Sequence, residues 1–472
     1  MPSRLGISTM SLGRCWAGHS FEHKMDMAAK YGYQGIELWH EDLMDVAEQL
    51  PGGAALLENQ IAASKIVKRM CDVRNIEVIC LQPFQHFEGL VDREQHARRV
   101  EELRVWIQLA HVLGTDLIQI PSNVLPAEQV SEDLELHIAD LAEVADIGAA
   151  SNPPIRFSYE SLSWGTRVDV WETCWEVIQR VDRPNFGMCL DTFNIAGRIF
   201  ADPCAASGRT EDAEQAVKDS IQRLLTTVDV SKIIYVQVVD AERLAEPLCP
   251  THPYYNAEQP SRMSWSRNCR LFYGEYSRGA YLPVREICAA IFQGLGFEGW
   301  VSFELFNRRM SEEDHDVPEE LAKRGAVAWS KLVRDMKLRV EEPSTAVTAL
   351  LLNLHVLCRK LDGRRVPVDA QAADDGGGLV AQVAVVSEGF PRVDVGDVAL
   401  DEGDVDAEEG IADGDARVCV GAGVDDDGVD VAPGLVDAVD DGALVVGLEV
   451  LDFDAQVRGL LLGHGDDVGE GR

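Results

Sequence analysis

The chain has 472 residues, 46% of them hydrophobic, and a formal net charge of −37. That supplies ample material for a large core, while the acidity disfavours nucleic acid and anionic membranes as partners, since both are polyanions. The charge is uneven, because residues 361–472 hold 28 acids against 6 bases and leave only −15 to the first 360.

Eleven cysteines are scattered without a CxxC pair, and their number is odd, which fits reduced thiols of a cytoplasmic protein better than a disulfide framework or a zinc site. The apolar stretch LGISTM near the N-terminus is too short for a signal peptide, and Ala346 to Cys358, interrupted by Asn353 and His355, is too short to span a bilayer.

Strand-like and helix-like segments then alternate. LGISTM is a first strand, followed by a helix over Phe21 to Tyr31 with Ser20 as its N-cap. GIELWH, with a helix over Leu57 to Arg74, and EVICLQPF, with one over Gln95 to Leu113, are the next units. DLIQIPS and Leu134 to Ala149 make the fourth, and IRFSYE with a helix near Val168 to Arg180 the fifth. Phe186 to Leu190 is a short apolar strand, with a helix over Asp212 to Thr227 behind it; IIYVQVVD, a long loop and a helix over Pro283 to Gln293 follow. GWVSFELF and a helix over Pro318 to Lys337 complete eight βα units, the beat of an α/β fold closed as a (β/α)8 TIM barrel. An open doubly wound sheet is the alternative, but no glycine-rich phosphate loop follows the first strand.

Four oxygen-bearing side chains fall at or near the C-terminal ends of strands five to eight: Glu160, Asp191, Gln237 and Glu304. Any one alone reads equally well as a solvated strand end, a helix cap or a partner of the backbone. Side by side on consecutive staves, three carboxylates repel one another unless a cation neutralises them. Hard oxygen donors without cysteine suit Mg²⁺ or Mn²⁺, with Co²⁺ able to substitute, and such a centre is a Lewis acid for a small oxygenated molecule.

The same residues carry a resemblance. Glu, Asp, His or Gln, and Glu from strands five to eight resemble the metal pattern of the xylose-isomerase-like barrels. SLGRCWAGHSFEHK, GYQGIELWHEDL, YESLSWG, CLDTFNIAGR, WSRNCRLFYGE and VSFELFNR more narrowly resemble the fungal 3-dehydroshikimate dehydratases of quinate catabolism, from about Met1 to Val340. The resemblance implies a lyase that needs a divalent metal and converts 3-dehydroshikimate to protocatechuate. It implies that coordination of the C3 carbonyl stabilises an enolate before the C5 hydroxyl leaves, and it makes the metal-ligating Glu160 and Glu304 candidate bases. Ser266 and Arg270 match the serine and arginine that hold the substrate carboxylate away from the metal, with Arg267 as the fallback. His86 stands near a basic substrate contact of bacterial relatives. Asn194 occupies the position of their histidine and is left to orient Asp191 or the substrate, and His19 is a further acid or base candidate.

Past Val340 the composition shifts. About three quarters of residues 371–472 are Val, Ala, Asp, Glu or Gly, and no lysine follows Lys360. Residues 341–472 are therefore expected to be either a disordered acidic extension or a gene-model artefact, outside a catalytic domain spanning 1–340. A sugar or sugar-phosphate isomerase or epimerase on the same barrel is the alternative function. A DNA-repair endonuclease is disfavoured by the missing basic face and histidine cluster. The partner is expected to be a small carboxylate, and self-association is left open.

Overall fold

The computed structural model describes residues 2–340. Its ten strands are β1 (Arg4–Ser8), β2 (Gly35–Trp39), β3 (Glu77–Gln82), β4 (Leu117–Pro121), β5 (Arg156–Glu160), β6 (Phe186–Asp191), β7 (Ile233–Gln237), β8 (Asp240–Ala241), β9 (Arg270–Leu271) and β10 (Trp300–Phe303). Eight of them close a parallel barrel in the order β1-β10-β7-β6-β5-β4-β3-β2, while β8 and β9 pair as a small antiparallel ribbon. The eight staves are the eight strands expected, and the barrel is the fold class the alternation implies. The extension at 341–472 lies outside the described residues. Among those residues no helix is long and apolar enough to cross a membrane.

Helices α1 (Phe21–Lys30), α2 (His40–Glu48), α3 (Leu57–Asp72), α4 (Arg93–Leu113), α5 (Leu134–Ala149), α6 (Trp171–Val181), α7 (Thr192–Ile199), α8 (Ala213–Thr227), α9 (Ser261–Cys269), α10 (Val284–Cys288) and α11 (Val317–Met336) accompany the strands. Ser20 caps α1 by accepting from the His23 N–H at 3.3 Å, as expected. α4 begins two residues before the anticipated start, capped by Asp92, whose carboxylate meets the N–H groups of Glu94 and Gln95. The helix expected over 283–293 is α10 followed by a wider, π-helical turn at Ala289–Gly294.

Three helices were not anticipated. α2 follows β2 without a loop and has no side-chain cap to announce it. α9 starts behind Pro260, likewise uncapped. Between β6 and the helix expected from Asp212 lies α7, and Asp191 itself is its N-cap, accepting from the Phe193 N–H at 2.7 Å.

The main core fills the layer between staves and helices. A second small cluster of Ile79, Cys80, Leu117, Cys189 and Tyr235 stands apart from it. Cys189 and Tyr235 precede Asp191 and Gln237 by two residues, so strand alternation puts them on the same inward face, one layer below the strand ends.

One buried acid outside this face gives a pH test. Glu88, in the loop after β3, is fully buried, and Oε1 accepts from the Asn123 N–H at 2.6 Å and from the Tyr159 hydroxyl at 3.0 Å. Oε2 has no partner, and burial pushes the carboxyl up to about 7. The folded protein therefore holds a proton that the unfolded chain releases near pH 4.5, so this group's contribution to stability declines as pH rises between 4.5 and 7. Glu88→Gln keeps both bonds to Oε1 and removes the titration. It is expected to melt higher than the parent at pH 8, by up to about 3 kcal/mol, and to show no gain below pH 4.5. Equal melting curves at pH 8 would show that Glu88 ionises without cost.

Candidate active site

Strand ends bring the carboxylates together. Glu160 ends β5, Asp191 ends β6, and Glu304 follows β10. All three are buried, with a carboxylate oxygen from each lying within 4.8 Å of the others. Gln237 ends β7 and is paired in register with Asp191 on one side and Ser302 on the other, so it projects toward the same interior. The four expected ligands therefore share one end of the barrel.

The electrostatics are those of a crowded, dry site. Burial raises Glu160 well above the usual carboxylate range, and the neighbouring Glu304 and Asp191 raise it further. Burial likewise raises Glu304, against the lowering pull of the Arg270 guanidinium. Asp191 is also raised by burial and eased by Arg270.

Arg270 differs from the expectation of a cation held away from the metal. It is fully buried, and Nη1 donates to Asp191 Oδ2 at 2.9 Å, to Glu304 Oε2 at 3.2 Å and to the Glu304 carbonyl at 3.1 Å. The reason is position: Arg270 opens β9, and its N–H meets the Phe306 carbonyl just beyond Glu304. Ser266 accepts from its Nε at 2.9 Å, and Nη2 is buried without a partner. Phe193 and Phe306 stack on the guanidinium at 4.3 and 4.7 Å. Arg267, the fallback, donates from Nη1 to Gln259 Oε1 at 2.7 Å.

Asn194 is taken up by the acids. Its Nδ2 donates to Glu160 Oε1 at 2.7 Å and to Asp191 Oδ2 at 2.9 Å, while its Oδ1 accepts from the Ser163 N–H. Both of its amide hydrogens are thereby directed at Glu160 and Asp191. His86 is not brought to the acids; it sits in a left-handed turn with φ +56° and contacts Asn123 Oδ1 at 3.4 Å. His19 is buried and bonded to the Glu312 carbonyl at 2.8 Å, which ties two loops together.

Four further residues complete the site. Glu37, on β2, is fully buried, and its Oε2 accepts from Gln82 Nε2 at 2.9 Å, the Tyr235 hydroxyl at 2.9 Å and Gln237 Nε2 at 2.8 Å. An ionised carboxylate only accepts, so it turns the Gln237 nitrogen toward itself and leaves Gln237 Oε1, which is buried and unpartnered, as the atom on offer. Burial pushes Glu37 up to about 7. Gln119, on β4, donates to Glu160 Oε2. Each is a polar residue within an apolar strand, in GIELWH, CLQPF, LIQIP and IIYVQ, and that was the available signal.

A second acidic group, His96, Asp140 and Glu143, lies between α4 and α5. Its cation is already present, since Arg93 makes two bonds to Asp140 at 2.6 and 3.0 Å.

Comparison with known proteins agrees with this geometry. A family model described as xylose isomerase-like TIM barrel matches residues 25–331. A 3-dehydroshikimate dehydratase of Neurospora crassa is 64% identical over 349 residues, which is 73% of this chain and 97% of that protein. A Pseudomonas aeruginosa protein of the same name is 27% identical over 301 residues, 64% of this chain but 38% of its own length. Among solved structures, a fusion of a xylose isomerase-like TIM barrel with 4-hydroxyphenylpyruvate dioxygenase superposes with a TM-score of 0.53 at 21% identity, covering 82% of this chain and 49% of that one. The IolI protein, solved with a bound zinc atom, has a TM-score of 0.51 at 17% identity and covers 71% and 99%. With a closed eight-stave barrel and a family match over most of its length, this chain belongs to the xylose isomerase-like TIM barrel family.

Proposed function

We propose that the protein is a metal-dependent lyase that dehydrates 3-dehydroshikimate to protocatechuate. The observation that carries the reading is the 64% identity to the Neurospora dehydratase over nearly the whole of that enzyme. The buried acid cluster supplies chemistry to match.

The residues fit a divalent cation. Three carboxylates and one guanidinium leave a net charge of −2 in a buried space, and the unpartnered Gln237 Oε1 is a neutral fourth donor. Glu160, Asp191, Gln237 and Glu304 would hold the ion, and all-oxygen ligation favours Mg²⁺ or Mn²⁺, with Co²⁺ a substitute. When bound, the ion acts as a Lewis acid that polarises the substrate's carbonyl oxygen.

The chain's own groups divide the remaining work. Arg270 Nη2 is the donor left for the substrate carboxylate, and Ser266 keeps the guanidinium in place for it. Asn194 and Gln119 occupy both oxygens of Glu160, which lowers its use as a base. Glu304 takes its one side-chain ion pair on Oε2 from Arg270, so it is the better placed of the two candidates to receive the ring proton. The proton can then be returned to the departing hydroxyl, which leaves as water, and transfer of a further proton from C6 to the C3 oxygen makes the ring aromatic. A place in quinate catabolism and a cytoplasmic location belong to the same reading.

The deciding experiment incubates purified protein with 3-dehydroshikimate, with and without EDTA, and follows protocatechuate by ultraviolet absorbance. Metal-dependent product formation is expected. A metal-replete protein that leaves 3-dehydroshikimate untouched but interconverts sugars would transfer the reading to an isomerase or epimerase.

The same proposal assigns catalysis to residues 1–340. Every proposed ligand and all eight staves precede Val340, and the Neurospora enzyme aligns over 97% of its length with only 73% of this chain. A chain ending at Val340 is expected to keep kcat/KM within about threefold and to melt within about 1 kcal/mol of the full chain. An insoluble or inactive truncated protein would place essential residues beyond 340.

A further inference from the structure

Nine cysteines among the described residues are free. Six are buried, and Cys15 is half-buried, its thiol pushed up to about 12 by burial and by nearby Asp42. Only Cys204 and Cys249 are exposed among them, and they lie on segments that run against one another. Cys204 stands in the connection between α7 and α8, and Cys249 in the long connection between β8 and α9.

Two hydrogen bonds join these connections at the cysteines themselves. The Leu248 N–H donates to the Pro203 carbonyl at 2.8 Å, and the Cys204 thiol donates to the Leu248 carbonyl at 3.4 Å. A carbonyl oxygen lies about 2.8 Å from the next Cα across a trans peptide, so Cys204 Sγ is within roughly 6 Å of the Cys249 Cα. A disulfide needs its two Cα atoms roughly 4.4–6.8 Å apart, so closing this one takes rotation of both side chains together with any shift of the two connections that brings the backbones to that separation. Cys249 Sγ also lies 3.1 Å from Thr251 Oγ1, and this hydrogen bond favours the thiolate.

We propose that Cys204 and Cys249 are an oxidisable pair that closes an intramolecular disulfide between the two connections. The oxidant is a low-molecular-weight disulfide such as oxidised glutathione. The Cys249 thiolate attacks one sulfur, its proton passing to the thiolate that departs, so that a mixed disulfide and one small thiol result. Cys204, deprotonated in turn, attacks the Cys249 sulfur and expels the second small thiol. Two protein thiols are oxidised while one small disulfide is reduced to two thiols.

The bond would fall on a junction that already matters to the site. Arg262, near the start of α9, donates from Nε to the Gly197 carbonyl at 2.7 Å and from Nη2 to the Ala201 carbonyl at 2.8 Å. The segment carrying Asp191 and Asn194 is thereby tied to the one carrying Ser266 and Arg270. The disulfide adds a covalent, thiol-reversible latch to that tie.

The test treats the full chain with oxidised glutathione, blocks residual thiols with iodoacetamide, and digests with trypsin without reductant. The expected product is a peptide cross-linking residues 199–209 to residues 244–262, which disappears on reduction and in both Cys204→Ser and Cys249→Ser. In the folded state, cleavage after Arg243 is expected to slow at least threefold on oxidation of the parent and not of Cys204→Ser. Glutathione retained on Cys249 without a cross-link, or a bond to any other cysteine or to a second chain, would overturn the pair. Equal cleavage rates would overturn the latch.

Discussion

Glu160→Gln, Asp191→Asn and Glu304→Gln are each expected to lower kcat/KM at least a hundredfold, about 3 kcal/mol or more in the barrier. Each exchange keeps the shape of the side chain and replaces an anionic donor by an amide that offers a neutral oxygen or an N–H. Asp191→Asn has a further effect, since Asp191 also caps α7 and accepts from Arg270 and Asn194, so its melting temperature should fall most of the three. Glu304→Gln should lose the most kcat if Glu304 is the base, whereas Glu160→Gln should lose more in metal affinity. Calorimetric titration of Mn²⁺ into each apoprotein, alongside initial rates with saturating metal, separates the two. Parental turnover in any variant with metal bound would remove that residue from the site.

Arg270→Ala is expected to lower kcat/KM about a thousandfold, roughly 4 kcal/mol, and to depress kcat as well as raise KM. A distant carboxylate grip would have raised KM alone, but the guanidinium touches Asp191 and Glu304, two of the proposed ligands. Its removal takes a positive charge away from the cation's neighbourhood, so Mn²⁺ should bind several-fold tighter even as activity is lost. It also leaves Asp191 and Glu304 buried without a counter-charge, at a cost of about 3–5 kcal/mol that metal should largely offset. The variant should therefore melt low without metal and recover with it. Normal kcat with unchanged Mn²⁺ affinity would return Arg270 to a purely substrate-binding role.

The barrel was readable because each stave is a short apolar run and each following helix carries its own period, both of them local properties. The cluster of Glu160, Asp191, Gln237 and Glu304 was readable for the same reason: each interrupts an apolar strand at the end where barrels of this kind place their sites. What surrounds them was not. Glu37 and Gln237 meet across the barrel from positions 200 residues apart, and no local pattern ties β2 to β7. For Asn194 the sequence points to Asp191 or the substrate as its partner, but not to the second acid, Glu160, that its amide also reaches from another stave. The motif pairs Arg270 with Ser266, as found, but its bonds to Asp191 and Glu304 are not legible in it, because the short ribbon of β8 and β9 that aims it has only two residues in each strand. α7 was missed because its cap and the candidate metal ligand are the same residue, and one side chain was expected to do only one of those jobs.

The aromatic pair around Arg270 bears on the thermodynamics of recognition. A free arginine side chain gives up about 2 kcal/mol of rotamer entropy when it is fixed. Here Phe193 and Phe306 hold the guanidinium between two ring faces, and Ser266 and the acids fix its edge, so that loss is incurred when the chain folds. A ligand anion arriving at Nη2 meets a donor whose direction is already set, and its binding enthalpy is not spent on freezing a mobile side chain. The two phenylalanines thus act on a ligand they need not touch, by lowering the disorder of the group that does.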